Sequence, residues 1–236
     1  MRHKVVSSKD WLAARRKLLA REKEFTRARD ALSELRRALP WERVAKEYAF
    51  EGPGGKQTLA GLFDGRSQLV VYHFMFGPDW DAGCPHCSRW ADNFNGVVVH
   101  LNHRDVSLVA VSRAPWRKLE AYRKRMGWSF KWYSSHGSDF NFDFNVSFTP
   151  GEMRAKKALY NFVLQDPGAS EREGVSVFHK DSRGGIFRTY STFARGIDMM
   201  SVDYQFLDLT PKGRDEKGRG PFWVRRHDEY GGRGTR

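Results

Sequence analysis

Between residues 8 and 39 apolar side chains return every seven or three positions: Trp11, Leu18, Phe25, Leu32 and Leu35. That spacing puts them on one stripe of an amphipathic helix. Ser7 or Ser8 can cap its start, and Asp10 falls in the first turn, where a negative charge faces unpaired N–H groups. Pro40 ends it. The pattern lasts only about four heptads and is interrupted by alanine and arginine, short of what a coiled coil needs. Its stripe is therefore expected to pack on the domain that follows.

Alternation then replaces helical spacing. Tyr48 and Phe50 alternate, Gly52-Pro53-Gly54-Gly55 supplies a turn, and Thr58 leads to Leu59 and Leu62, which reads as a hairpin over 48–63. Leu69 to Phe76 is almost wholly apolar, as in a buried central strand. Trp90, Phe94, Val97, Val98 and Leu101 then follow helical spacing, and Val106 to Val111 is a second buried strand. Pro115 opens a helix lined by Trp116, Leu119, Tyr122 and Met126 and stopped at Gly127. Phe140, Phe142, Phe144, Val146 and Phe148 alternate with polar residues, which is strand periodicity. This apolar face either packs on the core or forms a lip for a substrate. Val175 to Phe178 and Ile186 to Tyr190 form a closing hairpin around Asp181-Ser182-Arg183-Gly184-Gly185. Alternating strands and helices predict an α/β fold with a sheet that is parallel at its centre, the last hairpin adding an antiparallel edge.

Composition narrows the class. The 236 residues are 40% hydrophobic and 14% aromatic, enough for a core. No stretch approaches the roughly 20 apolar residues of a membrane span, and Met1 to Asp10 lacks the pattern of a secretory signal. A cytoplasmic protein without membrane attachment is expected. The net charge of +13 is concentrated at the ends. Residues 1–40 hold twelve basic and five acidic side chains, residues 212–236 hold eight and four, and the body is nearly balanced. Basic ends can meet nucleic acid or solubilise the chain. The aromatic stretch 128–148 has only Lys131 to accompany its rings, so nucleic acid is not the expected partner. The expected organisation is a helical extension over 1–40, one domain over 41–211, and a Gly-rich basic tail over 212–236.

The chain has two cysteines, and they stand three apart in Cys84-Pro85-His86-Cys87. A disulfide-stapled secreted protein would spread more of them along the chain. The motif follows a buried strand and opens a helix, where free N–H groups favour a thiolate. Pro85 fits the first turn because its missing N–H would be unpaired there in any case. His86 adds a donor or a charge beside Cys84. This is the pattern of a redox pair, with Cys84 the attacking thiolate and Cys87 the resolving thiol. A zinc site is the rival: Cys87 is followed by twelve residues and then His100-x2-His103. A largely continuous helix from Cys84 to His100 would separate those ends by about 24 Å, so no metal is expected. His73, inside a central strand, is expected to be a hydrogen-bonded core residue.

The order of elements around Cys84-Pro85-His86-Cys87 resembles the thioredoxin fold and its peroxiredoxin-like relatives, which carry a preceding hairpin. More closely, Leu69 to Ser88, the hairpin Val175 to Thr192 and the run Leu207 to Glu216 look like an uncharacterised bacterial family called predicted dithiol-disulfide oxidoreductases. The resemblance implies a thioredoxin-like central sheet with flanking helices and a dithiol–disulfide exchange on a thiol or disulfide substrate, without a cofactor. It implies substrate contacts at Trp80, Gly174 and Val175. Two positions depart from thioredoxins. Gly83 stands where Trp precedes the first cysteine, and Glu173 and Gly174 stand before Val175 where a cis-proline is usual, the nearest proline being Pro167. Asp81, three before Cys84, replaces the Thr of peroxiredoxins, which makes hydroperoxide turnover the weaker enzymatic alternative. A non-catalytic or metal-binding module is the other alternative.

Overall fold

The structure, a computed structural model, describes residues 3–231. The chain divides into two units, 1–40 and 41–236.

The first unit is one helix, α1 (Ser8–Arg37). The Ser7 hydroxyl caps it by accepting from the Asp10 N–H, and Arg36 and Arg37 stand in the last turn, where cations meet the unpaired carbonyls. No side chain of α1 is buried, and Trp11, Leu18, Phe25 and Leu35 are exposed.

The second unit is built on an eight-stranded sheet. Its strands are β1 (Glu42–Arg43), β2 (Ala49–Gly52), β3 (Gly55–Thr58), β4 (Gln68–His73), β5 (Val106–Ser112), β6 (Lys131–Ser134), β9 (Gly174–Lys180) and β10 (Ile186–Phe193), with β7 (Ala158–Tyr160) and β8 (Val163–Gln165) forming a separate hairpin. The order is β1-β10-β9-β4-β5-β6-β2-β3. The centre, β4-β5-β6, is parallel, and β9 joins β4 antiparallel with Leu69 opposite Phe178. The two apolar runs and the closing hairpin thus share one sheet, as their patterns predict. The expected hairpin over 48–63 is β2-β3, turning between Gly52 and Gly55, with α2 (Leu59–Leu62) after it.

Period-two alternation splits the core into two layers. On one face Tyr72, Leu108, Ala110 and Trp132 meet α3 (Pro85–Ala91), α4 (Phe94–His103) and α5 (Trp116–Arg125) through Cys87, Trp90, Phe94, Leu119 and Tyr122. On the other, Leu69, Val71, Val109 and Val111 meet Phe50, Leu62, Phe63, Phe140 and Phe144. Parallel neighbours need crossovers, which α3–α4 and α5 provide.

Two expectations are corrected. Helical spacing runs through 90–101, yet Asp92 and Asn93 interrupt it and leave a seven-residue α3. Phe140 to Phe148 is not a strand. Phe140–Asp143 is a turn of helix, α6, which brings Phe140 and Phe144 together at 4.6 Å between ring centroids. Asn145 then takes a left-handed φ of 56°, which suits Asn among non-glycine residues, and Val146 and Phe148 enter a third apolar cluster with Tyr160 and Phe193. None of these aromatics lines the cavity at the cysteines. The remaining helices, α7 (Pro150–Ala155) and α8 (Val202–Leu207), flank that cluster's hairpin and follow β10. His73 is buried as expected, its Nε2 2.9 Å from the Ser176 hydroxyl, and burial, with the charge of Arg188, lowers its pKa to about 3.

Candidate active site

Strand β4 delivers the chain to the loop before α3, and the loop folds back on itself. The Cys84 N–H donates to the Met75 carbonyl at 3.1 Å, and the Cys84 carbonyl accepts from both the N–H and the hydroxyl of Ser88, each at 2.9 Å. Cys84 is the N-cap of α3 and Pro85 its first residue, where no N–H is needed. Ser88 also shares a hydrogen bond of 2.9 Å with the Tyr122 hydroxyl, so α5 fixes the turn that carries the motif.

The cysteines are free and lie 3.9 Å apart. Cys87 is fully buried and accepts a long hydrogen bond from the Met75 N–H at 3.5 Å; Cys84 is partly exposed. Their acidities separate in opposite directions. The Cys87 thiol donating to Cys84 lowers the Cys84 pKa, helped by the N–H groups of Cys87 and His86, against burial and the charge of Glu173. Burial pushes the Cys87 thiol well up, and the neighbouring Cys84 and Glu173 charges add to this. The fully buried Tyr72 hydroxyl lies beside Cys87 and has no other partner among the described residues.

His86 acts differently from the sequence expectation. It supports Cys84 through its backbone N–H, while its ring is half-buried and has its pKa lowered by burial and by the Arg89 charge. Both effects shift the ring toward its neutral form.

A cavity of about 770 Å³ opens over the pair, and Cys84, His86 and Cys87 line it. Trp80, Gly174 and Val175 do not. Trp80 packs beside Gly77, Gly174 lies under the Phe193 ring, and Val175 is in the core. The adjacent Arg172 and Glu173 line the cavity instead. No peptide bond among the described residues is cis.

The opposite wall comes from residues 194–222, including part of the segment that composition reads as a loose tail. The Tyr204 hydroxyl donates to Glu216 at 2.7 Å, and the Trp223 indole N–H donates to the same carboxylate at 2.9 Å. Arg226 donates to the Gly83 carbonyl at 2.7 Å and to the Tyr122 hydroxyl at 2.8 Å, and His227 pairs with Asp92. The chain between 212 and 231 is thus tied to the loop before Cys84. Long-range pairing of this kind leaves no periodic signal; the aromatic residues Tyr204, Phe222 and Trp223 among the charges were its only trace. Arg89, Arg172, Glu173 and Tyr204 were also missed as wall residues.

Among the described residues no three His, Cys, Asp or Glu side chains gather as a metal site would require, and His100 and His103 lie at the far end of α4. Among the described residues no helix is long and apolar enough to cross a membrane.

The family described as "Bacterial protein of unknown function (DUF899)" matches residues 1–230. The chain belongs to this family. Among curated proteins none matches it. Solved structures with partial likeness to this DUF899 member include the peroxidoxin BcpB of Mycobacterium tuberculosis, 14% identical over 69% of this chain and 93% of that one, with a TM-score of 0.46. A peroxiredoxin Q mutant of Xylella fastidiosa is 13% identical over 67% and 88%, with a TM-score of 0.42. A yeast mitochondrial 1-Cys peroxiredoxin is 15% identical over 72% and 78%, also at 0.42.

Proposed function

We propose that this DUF899 protein is a thiol–disulfide oxidoreductase. The observation that carries the reading is the paired asymmetry of the cysteines. They lie within reach of one another on a cavity floor, with Cys84 driven toward the thiolate and Cys87 held as a thiol. Exchange needs this division of labour. The Cys84 thiolate attacks one sulfur of a substrate disulfide, the substrate S–S bond breaks, and the departing thiolate takes a proton from water. Cys87 then loses its proton to solvent and attacks the Cys84 sulfur. The mixed disulfide breaks, the second thiol leaves, and the protein holds a Cys84–Cys87 disulfide. Two electrons have passed to the substrate, and a thiol reductant returns the pair to the dithiol.

The test is trapping. Cys87→Ser should accumulate a mixed disulfide with a small aromatic disulfide probe, seen as an intact mass increase that dithiothreitol removes. Cys84→Ser should trap nothing. Equal labelling of both variants would remove the assigned roles.

A further inference from the structure

Residues 194–222 line the cavity over Cys84 together with Arg172 and Glu173, and the chain just after them is held to the Gly83 carbonyl through Arg226. A volume of about 770 Å³ falls within the roughly 300–1,000 Å³ of small-molecule sites.

The wall is cationic. Arg89, Arg172, Arg195, Arg214 and Arg219 line it, against Glu173, Asp198 and Glu216. Arg195 and Arg214 are engaged with Asp198 and Asp208. The other three are less fully engaged. Arg219 lies over the Phe222 ring at 3.9 Å and has no acidic partner among the described residues. Arg172 donates to the Pro167 carbonyl at 3.1 Å, reaches Glu173 only at 3.8 Å, and its Nε has no hydrogen-bond partner. Arg89 pairs with Asp203 at 3.4 Å and donates to the Ser201 hydroxyl at 3.3 Å, yet it is 8% exposed, stacked on Tyr204 at 4.1 Å, and its Nε has no hydrogen-bond partner. A buried guanidinium with an unused donor is costly unless an acceptor arrives, and guanidinium groups match carboxylates in a bidentate way.

We propose that the substrate of this site is a small disulfide bearing carboxylate groups, held by Arg219, Arg172 and Arg89 over Cys84. The inference rests on the oxidoreductase reading and adds the substrate class to it. The exchange balances as above, with two carboxylate-bearing thiols as products.

The test mixes the reduced full chain with four oxidants: dithiodiglycolate, which carries two carboxylates; neutral 2-hydroxyethyl disulfide; cationic cystamine; and insulin as a protein disulfide. Loss of free thiol is followed by quenched titration, and each rate is divided by that of dithiothreitol with the same oxidant. Dithiodiglycolate should exceed cystamine by about tenfold at low salt, and the gap should narrow at high salt as screening removes steering. Insulin should be slower than dithiodiglycolate. Arg219→Gln should lower the dicarboxylate-to-neutral ratio by about threefold, of the size expected for one partly screened charge. Cystamine or insulin reacting as fast as dithiodiglycolate would overturn the substrate class while leaving the oxidoreductase reading intact. If none of the four oxidises the pair while both thiols remain titratable, the oxidoreductase reading falls and this inference with it.

Discussion

Replacing Arg226 with Ala should release the C-terminal segment from the active-site loop without unfolding the domain. Its guanidinium makes two bonds across the closure, to the Gly83 carbonyl at 2.7 Å and the Tyr122 hydroxyl at 2.8 Å, and the side chain is 17% exposed. Hydrogen bonds from a charged donor contribute about 1.5–3 kcal/mol each. Water replaces part of this once the segment lifts, so a loss of about 2–4 kcal/mol in local closure is expected. At 1.4 kcal/mol per factor of ten, the open fraction should rise about 30- to 700-fold. The neighbouring Arg125 pairs with both Asp228 and Glu229, at the surface where screening weakens such contacts, and compensates only in part. Hydrogen exchange reads the change directly: the N–H groups of Val224 and Glu229, bonded within the segment, should lose protection while those of β4 and β5 keep theirs. A bulky maleimide should label Cys84 faster, and Arg226→Lys, which cannot span both acceptors, should fall between. Protection at 224–229 unchanged within twofold would refute the closure.

The pH dependence of iodoacetamide labelling at Cys84 should show a midpoint below the free-thiol value of about 8.5, and Glu173→Gln should lower it further by removing a like charge that opposes the thiolate. His73 supplies an acid limb. Its folded pKa of about 3 lies below the ordinary 6.5, so the unfolded chain takes up a proton that the folded one refuses. Stability should fall by up to about 1.4 kcal/mol per pH unit from this site as pH drops from 6.5 toward 3, and urea titrations of His73→Gln should show a flatter acid limb. Gly83→Ala should cost about 1–3 kcal/mol in the same titrations, because a Cβ there would stand 2.7 Å from the Phe74 ring.

The strands were legible because burial writes itself into sequence. Leu69 to His73 and Val106 to Val111 are apolar on both faces, as strands between two layers must be, and they pair in parallel register. The motif was legible for the same reason: it follows a buried strand and stands where Pro85 starts a helix. The failures have a common physical source. Alternation over Phe140–Phe148 satisfies a strand, but also a turn of helix that brings positions four apart together, followed by a left-handed Asn145. Local spacing does not separate these when every ring is buried. The state of the His86 ring depended on its surroundings: burial and then the charge of Arg89, three residues further on, lower its pKa, and neither is visible in the four-residue motif.

Gly83 brings the departures from thioredoxins together. The position before the first cysteine carries no side chain because the Phe74 and Tyr122 rings already fill that space, at 2.7 and 3.1 Å from where a Cβ would sit. Its carbonyl is taken by Arg226, and Tyr122 is shared between Arg226 and Ser88, which in turn holds the Cys84 carbonyl. A large side chain at 83 would break this chain of contacts at its first link. On the other side of the cysteines Glu173 stands in place of a proline and sets a negative charge beside both sulfurs. That charge raises both thiol pKa values, so the lowering at Cys84 is achieved against it by the Cys87 thiol and two backbone N–H groups. Oxidising the pair removes the Cys87 donor and the Cys84 thiolate together, leaving Glu173 without a like charge to oppose. In the proposed exchange, electrostatics at Glu173 would favour the disulfide, the hydrogen bonds at Cys84 would favour the dithiol, and the balance between them would set the potential of the pair.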